Sequence, residues 1–269
     1  MLNNKSTIML LVDIAYSPFG GAEKQSLELA RNIDRNKYEL IVGCLSKKDN
    51  LLSQIRDCGV KTITFHVKYI YDLFGIKQGM VFKNFLKKEK VDILVTYHFG
   101  SDVWGAVFGI LAGVPVIISS RRDEGYWRKK IHTLTYRLIN RWYKKILVNS
   151  QAVKRMVLEK DKASGHKVQL IYNGIDLERF QGAMNRAGTK EKLGLPQDSY
   201  LVGCIGNLRP VKGHTYLIKA AQQVIKVFPK AHFVLIGTGE SKESLATEAK
   251  DAGVENNIHF LGIKKDIPA

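Results

Sequence analysis

Residues 201–213 read LVGCIGNLRPVKG and set two cations, Arg209 and Lys212, between Gly206 and Gly213, with Pro210 stiffening the turn. An apolar run, Leu201 to Ile205, enters this turn, and HTYLIKAAQQVIKVF, with apolar residues at helical spacing, leaves it. A strand that passes through a glycine turn into a helix presents backbone N–H groups at the positive end of the helix dipole. That geometry binds anions, phosphate above all. Two cations at the same mouth point to a ligand with more than one negative charge. The competing reading is a pair of ordinary surface charges. Position favours the ligand, because open α/β sheets bind at the carboxyl ends of their strands.

Other turns carry the same chemistry more weakly. Gly20-Gly21-Ala22-Glu23 follows the first apolar run and would let a ligand approach the backbone. It lacks the G-x-G-x-x-G spacing of a dinucleotide site, which argues against NAD. Gly237-Thr238-Gly239-Glu240 is the next strand-to-helix turn after Arg209 and Lys212, at the same end of its sheet. His98 follows VDILVTY and is a candidate acid, base or hydrogen-bond donor; a structural histidine is the alternative. Arg121-Arg122-Asp123-Glu124 follows VPVIISS at an equivalent strand end, either reaching ligand or pairing among themselves.

Residues 121–145 carry nine basic and two acidic residues with Tyr126, Trp127, Tyr136, Trp142 and Tyr143 interleaved. Cations beside aromatic rings suit an anionic membrane interface. A surface helix with its rings packed inward is an equal reading. Nucleic acid ranks behind both, because no recognisable nucleic-acid motif accompanies the charge.

These residues need a frame. The chain has 269 residues, enough for one large or two ordinary domains, and 45% apolar content supports a real core. No run of 18 apolar residues exists, so no transmembrane helix is expected. The first apolar run contains Asp13 and has no small-residue cleavage pattern, so it reads as a buried strand rather than a signal peptide. Cys44, Cys58 and Cys204 fit no metal spacing and read as thiols of a reducing compartment. The net charge of +17 divides into 30 − 17 = +13 over residues 1–180 and 12 − 8 = +4 over 181–269, a field that attracts anionic partners.

Apolar strands and helical patterns alternate throughout. TIMLLVDIAYS, YELIVGCL, KTITFHV, VDILVTYH, VPVIISS and KKILVNS read as strands. Helices are expected from about Ala22 to Asn32, over Asp102–Ala112 and over Tyr126–Trp142. Such alternation makes a parallel sheet wrapped by helices. After VQLIYNG the rhythm breaks in a less patterned stretch near 181–199, and a second series follows: LVGCIG, a helix at 214–228, AHFVLIG, a helix at 241–252, and IHFLG. The expected division is 1–180 and 181–269, with the boundary region near 175–195. Three strands are few for a domain, and an unpaired sheet edge is expected in the second series.

Taken together, GGAE (20–23), LVNSQAVK (147–154), IYNGIDLERF (171–180), GNLRPVKG (206–213), VLIGTGE (234–240) and IHFLG (258–262) resemble the family-four retaining glycosyltransferases of the GT-B fold. The resemblance implies an α/β protein of two Rossmann-like domains, the second incomplete. It implies that a nucleotide-diphosphate sugar binds mainly to the C-terminal domain and a glycan or lipid-linked acceptor to the N-terminal one. Arg209 and Lys212 would clamp the diphosphate, with His98 as the further catalytic candidate. Gly20, Gly21, Asn207, Gly237, Gly239 and Gly262 would line the donor site, and Arg121 the sugar and acceptor side. No metal and no cofactor would be needed. Asn207 stands where the family commonly has Arg, and Ser119, Ser120 and Arg121 stand where many members carry a His. The family's Glu-x7-Glu segment would lie beyond IHFLG, so the chain reads as C-terminally truncated. The expected function is retaining transfer of a hexose in cell-surface polysaccharide synthesis, cytoplasmic or peripheral on the inner membrane face. The alternatives are an inactive membrane- or polyanion-binding module of the same fold, and a nucleotide-sugar epimerase, for which acid and base residues are not evident.

Overall fold

The computed structural model describes residues 5–13, 21–46, 50–178 and 186–264. The chain divides into two compact units, Met1–Ile175 and Asp176–Ala269, so the division falls inside the IYNGIDLERF segment, ahead of position 180.

The first unit is one seven-stranded sheet. Its strands are β1 (Ser6–Val12), β2 (Tyr38–Cys44), β3 (Lys61–Thr64), β4 (Ile93–Tyr97), β5 (Val116–Arg121), β6 (Lys145–Val148) and β7 (Val168–Leu170). The order is β3-β2-β1-β4-β5-β6-β7, and every pairing is parallel. The strands are linked by helices α1 (Gly21–Asn32), α2 (Asn50–Asp57), α3 (Leu73–Lys88), α4 (His98–Ala112), α5 (Lys130–Ile139) and α6 (Gln151–Glu159). Side chains alternate across a strand, so an apolar run such as MLLV must be covered on both faces. Met9 and Leu11 join one core cluster, together with Phe82 of α3, Trp104 of α4 and Ile139 of α5. Leu10 and Val12 join the opposite cluster, with Leu27 of α1 and Leu51 of α2. α3 lies so close to α4 that a Cβ on Gly79 would sit 2.0 Å from the Phe108 ring.

A polar network is buried beneath α4 and α5. Asp102 accepts hydrogen bonds from Thr96 Oγ1 (2.5 Å), Ser119 Oγ (2.9 Å) and Tyr136 Oη (2.9 Å). Burial pushes its carboxyl up to about 6, beyond what the nearby Arg121 charge and its three hydrogen bonds offset.

The second unit holds a parallel three-stranded sheet in the order β10-β9-β8, from β8 (Tyr200–Ile205), β9 (Ala231–Ile236) and β10 (Ile258–Gly262). Helices α7 (Arg186–Lys192), α8 (His214–Val227) and α9 (Lys242–Asp251) accompany it. Ile218, Phe233, Leu235 and Leu245 centre its core. β8 is an edge strand, and Tyr200, Leu201, Val202 and Ile205 on it remain exposed.

Three sequence expectations need correction. The helix expected over 126–142 is α5 followed by a 3-10 turn at Asn140–Trp142. Residues 123–128 form a loop, because Asp123 Oδ1 accepts from the Gly125 N–H at 2.7 Å and Gly125 takes φ +67°. α4 starts at His98 rather than Asp102, because the Asp13 carboxylate, just beyond β1, accepts the N–H groups of Gly100 and Ser101 in its first turn. α7 occupies part of the stretch read as unpatterned; its Ala, Glu and Lys favour helix, and Gly194 at φ +66° follows its end.

Two stability predictions follow from this packing. The Asp102 carboxyl holds its proton to about pH 6 in the folded chain and to 3.8 when free. Its ionisation therefore costs nothing below that lower value and costs about 3 kcal/mol above the higher one. Urea unfolding of Asp102→Asn should show stability relative to wild type rising between pH 4 and 6, then levelling; a pH-independent difference would contradict this. In the second unit, a Cβ on Gly239 would lie 2.2 Å from the Leu208 carbonyl oxygen. Gly239→Ala should therefore cost about 1–3 kcal/mol by the same assay, whereas Gly206→Ala, with open space around it, should cost far less.

Candidate functional site

Strand order in the first sheet reverses between β1 and β4, and a crevice opens there at the carboxyl ends of the strands. Asp13 follows β1 and His98 follows β4. The Asp13 carboxylate accepts the backbone N–H groups of Gly100 (2.9 Å) and Ser101 (2.5 Å), which stand at the positive end of α4. Burial raises the Asp13 carboxyl, more than the neighbouring His98 charge and the Ser101 and Gly100 hydrogen bonds pull it down. His98 itself takes φ +73°, a left-handed conformation that costs a non-glycine residue of order 1–3 kcal/mol. Its Nδ1 is buried with no hydrogen-bond partner.

Above this junction lies a cavity of about 520 Å³. Asp13, His98 and Phe99 form its base, and Asp123, Trp127 and His132 form one wall. Tyr69 and Tyr71 of the β3–α3 loop line the other, with their ring centroids 5.9 Å apart. Asp123 Oδ1 also accepts from Trp127 Nε1 at 3.2 Å, which fixes the indole against the cavity. Flat rings flanking carboxylates and an imidazole suit a polyhydroxylated ring, with apolar faces to stack and hydroxyls to bond. Sequence reading picked out His98 here. It passed over Asp13, Tyr69, Tyr71 and His132, because strands β1, β3 and β4 and helix α5 meet only in the fold.

Arg121 does not line this cavity. It is 2% exposed, and its guanidinium donates to Asp161 Oδ2 (2.8 Å), Asn140 Oδ1 (2.5 Å) and Ser119 Oγ (3.3 Å) while lying 4.0 Å over the Tyr136 ring. Every part of that side chain is engaged in the core, so the sugar-side assignment is corrected to a structural one. Arg122 is held by Ser120 (3.0 Å) and Asn173 (2.6 Å), and only Asp123 of this cluster reaches the cavity. Of the aromatics in 121–145, Tyr136 and Tyr143 are buried, while Tyr126 and Trp127 are exposed.

The second unit gathers three strand ends into one rim. Leu208 donates its N–H to the Thr238 carbonyl (3.0 Å) and accepts from the Ser241 N–H (3.0 Å), and Gly237 donates to the Gly262 carbonyl (2.8 Å). A Cβ on Gly237 would lie 2.0 Å from the Gly206 carbonyl oxygen, and its φ is +143°. Gly237 and Gly239 are thus required by backbone packing against residues 206–208. Gly262 takes φ +65° with open space beside it. On this rim Pro210–Lys212 form a 3-10 turn, and Gly213 at φ +69° leads into α8 without a side-chain cap. Asn207, Arg209 and Lys212 are exposed. Neither Arg209 nor Lys212 has a side-chain partner among the described residues. His214, which sequence reading did not single out, is 3% exposed with both ring nitrogens unpartnered, and burial followed by the Lys212 charge lowers its pKa.

Gly21 opens α1 and is exposed, with nothing near a notional Cβ, whereas Gly20 lies outside the described residues. Among the described residues no group of three or more His, Cys, Asp or Glu could hold a metal ion, and no helix is long and apolar enough to cross a membrane.

Comparison with known proteins matches these two units in turn. The family Glycosyltransferase Family 4 matches residues 19–179, and the family Glycosyl transferases group 1 matches residues 185–269. The chain is 26% identical over 263 residues to the UDP-Gal:alpha-D-GlcNAc-diphosphoundecaprenol alpha-1,3-galactosyltransferase of Escherichia coli, covering 92% of this chain and 67% of that protein. It is 36% identical over 92 residues to a GDP-mannose-dependent monoacylated alpha-(1-6)-phosphatidylinositol monomannoside mannosyltransferase of Corynebacterium glutamicum, covering 34% of this chain and 24% of that one. Anabaena Alr3699/HepE, solved in complex with UDP and glucose, superimposes with a TM-score of 0.81 at 21% identity over 97% of this chain and 70% of that one. A glycosyltransferase from Rickettsia africae gives a TM-score of 0.80 at 18% identity over 98% and 70%. A parallel sheet with its crevice at the reversal of strand order, a second parallel sheet with a cationic glycine rim, and a family match over more than half the sequence lead to one conclusion: the chain belongs to glycosyltransferase family 4 and has the GT-B fold.

Proposed function

We propose that this protein transfers a hexose from a uridine-diphosphate sugar to a sugar hydroxyl on a lipid-diphosphate carrier, with retention of configuration. The observation that carries the reading is the rim of the second unit. Its backbone is locked by hydrogen bonds between three strand ends, yet Arg209 and Lys212 stand exposed and unpartnered at the start of α8. Exposed cations and a helix N-terminus beside a rigid turn are suited to a diphosphate. The uridine donor is supported by the Escherichia coli relative, which uses UDP-Gal, and by the Anabaena neighbour, solved with UDP. The carrier-linked acceptor is supported by the same relative, whose acceptor is a diphosphoundecaprenol-linked sugar. Retention is supported by the family resemblance of the GNLRPVKG and IYNGIDLERF segments. The chain spans 67% and 70% of these two proteins, so the activity is proposed for the protein as a whole.

In this mechanism the acceptor oxygen forms a bond to the anomeric carbon. The bond from that carbon to the diphosphate oxygen breaks, and its electron pair leaves with the diphosphate. The acceptor's hydroxyl proton passes to a diphosphate oxygen. Arg209 and Lys212 stabilise the charge that develops there, which is the largest single contribution such a site makes. The cavity of the first unit holds the acceptor, with Trp127, Tyr69 and Tyr71 stacking on sugar faces and Asp123 and His98 orienting hydroxyls.

Isothermal titration with UDP tests the clamp. Arg209→Ala and Lys212→Ala should each weaken affinity by about tenfold or more, equivalent to at least about 1.4 kcal/mol. Unchanged affinity in both variants removes it. Steady-state kinetics test the acceptor side: Trp127→Ala should raise the KM for acceptor and leave UDP affinity intact. A loss confined to UDP affinity would assign the cavity to the donor instead.

A further inference from the structure

A second cavity, of about 600 Å³, opens in the first unit at the other end of its sheet. Its lining comes from residues that run into the strands: 113–115 ahead of β5, 141–144 ahead of β6, and His166 and Lys167 ahead of β7. The length of β5, about 20 Å, separates it from the cavity at the carboxyl ends, so it is no extension of the proposed acceptor site. Val114, Pro115 and Ile117 make an apolar floor, and Trp142, half-buried, makes a flat wall beside them. The rim is basic, with Arg141, Lys144, Lys145, His166 and Lys167, and no carboxylate lines the cavity.

These cations are held in place. Lys145 Nζ donates to the His166 carbonyl at 2.9 Å, and Lys167 Nζ donates to the Asn140 and Arg141 carbonyls at 3.2 and 3.1 Å. An ammonium carries three N–H groups, so one is left over on Lys167 and two on Lys145. Their partners are neutral carbonyls, which fix an ammonium without cancelling its charge. Arg141 lies 5.9 Å over the Trp142 ring, and the Lys144 ammonium has no side-chain partner among the described residues. Four permanent positive charges thus crowd one mouth with no counter-charge in it. Mutual repulsion makes that arrangement a cost to the free chain. The C-terminal end of α4, where a helix is negative, also borders the cavity. Gly113 and Val114 cap it by donating to the carbonyls of Ile110 (2.9 Å) and Gly109 (3.0 Å).

We propose that this cavity binds a small soluble nucleoside phosphate, as a ligand site separate from the donor rim of the second unit. Its volume is that of a small-molecule pocket. Phosphate oxygens take the spare N–H groups of Lys145 and Lys167 and the side chains of Arg141 and Lys144. A base takes the apolar floor and the face of Trp142, which a bare phosphate would leave in water. This is a different site from the interface expected over residues 121–145. His166 and Lys167 stand outside that stretch, and the apolar part is a recessed floor rather than an outward face. Nothing in it depends on the transferase reading.

Isothermal titration of the full chain with magnesium-free ATP, beside inorganic tripolyphosphate, tests the proposal. ATP should bind, and tripolyphosphate should bind several-fold more weakly. Arg141→Gln/Lys144→Gln should weaken ATP binding by about tenfold or more, and Arg141→Lys/Lys144→Arg should restore most of it. The same loss should appear in a chain that also carries Arg209→Ala/Lys212→Ala, so that the donor rim is not its source. Without ligand, Arg141→Gln/Lys144→Gln should melt no lower than wild type; a lower Tm makes the cations structural and sinks the site. Absence of ATP binding overturns the proposal, as does binding that Arg141→Gln/Lys144→Gln leaves unchanged. Binding abolished by Arg209→Ala/Lys212→Ala alone overturns it by placing ATP on the donor rim. Equal affinity for ATP and tripolyphosphate overturns the nucleoside in favour of a bare polyanion. Retention on phosphatidylglycerol vesicles that is lost in Arg141→Gln/Lys144→Gln, with no ATP binding, overturns it in favour of a lipid headgroup.

Discussion

The carboxylate of Asp13 ties the end of β1 to the beginning of α4 through the Gly100 and Ser101 N–H groups. These elements meet at the one place where neighbouring strands send their chains in opposite directions, which is where a parallel sheet opens a crevice. A buried carboxylate is costly unless its lone pairs are filled, and a helix start is costly unless its N–H groups are. Each satisfies the other here. The junction fixes where α4 starts, and so holds His98 in its left-handed conformation with its ring at the base of the cavity. The Ser101 hydroxyl donates to the Tyr97 backbone carbonyl and reinforces the same turn.

Charge in the first unit is used in two separate ways. Arg121, Arg128, Asp161 and Asp102 are taken into the core, where Asp161 accepts from Arg121 at 2.8 Å and Arg128 at 3.0 Å, and Tyr136 lies against both guanidinium groups. A buried ion pair is weak as a source of stability but strict about geometry, since removing one partner leaves an uncompensated charge. The network therefore fixes how α5 and α6 sit against β5. The remaining cations of α3 and α5 are on the surface, and there the lack of carboxylates lets them act together as a field.

The second unit solves a related problem with backbone alone. Parallel strands end side by side, and the turns leaving them compete for the same space. Glycines at 237 and 239 let one turn rest on the carbonyl groups of the other, so Gly206–Leu208 and Gly237–Ser241 become a single rigid lip. Side chains are then free to face a ligand, because none is needed to hold the lip together. Arg209 and Lys212 are the cations left in that position.

Much of this was legible in the amino-acid order. The ten strands among the described residues stand as short strand-like runs between turns, and buried ones such as β1 and β4 are apolar nearly throughout because a strand covered on both faces has to be. Arg209, Lys212 and the glycine turns are visible because strand, turn and helix are consecutive in the chain. The cavity was not legible in that way. Asp13, Tyr69, His98, Asp123 and His132 come from five places in the sequence, and no local pattern says that β1 and β4 will be neighbours. Arg121 shows the same limit from the other side: beside Arg122, Asp123 and Glu124 it looks like a surface cluster. Only its alignment with Asp161, forty residues on, puts it in the core. Local periodicity fixes what each segment becomes, because that depends on which faces must leave water. Which side chains meet depends on strand order and on pairings between distant segments, and those exist only once the sheet has formed.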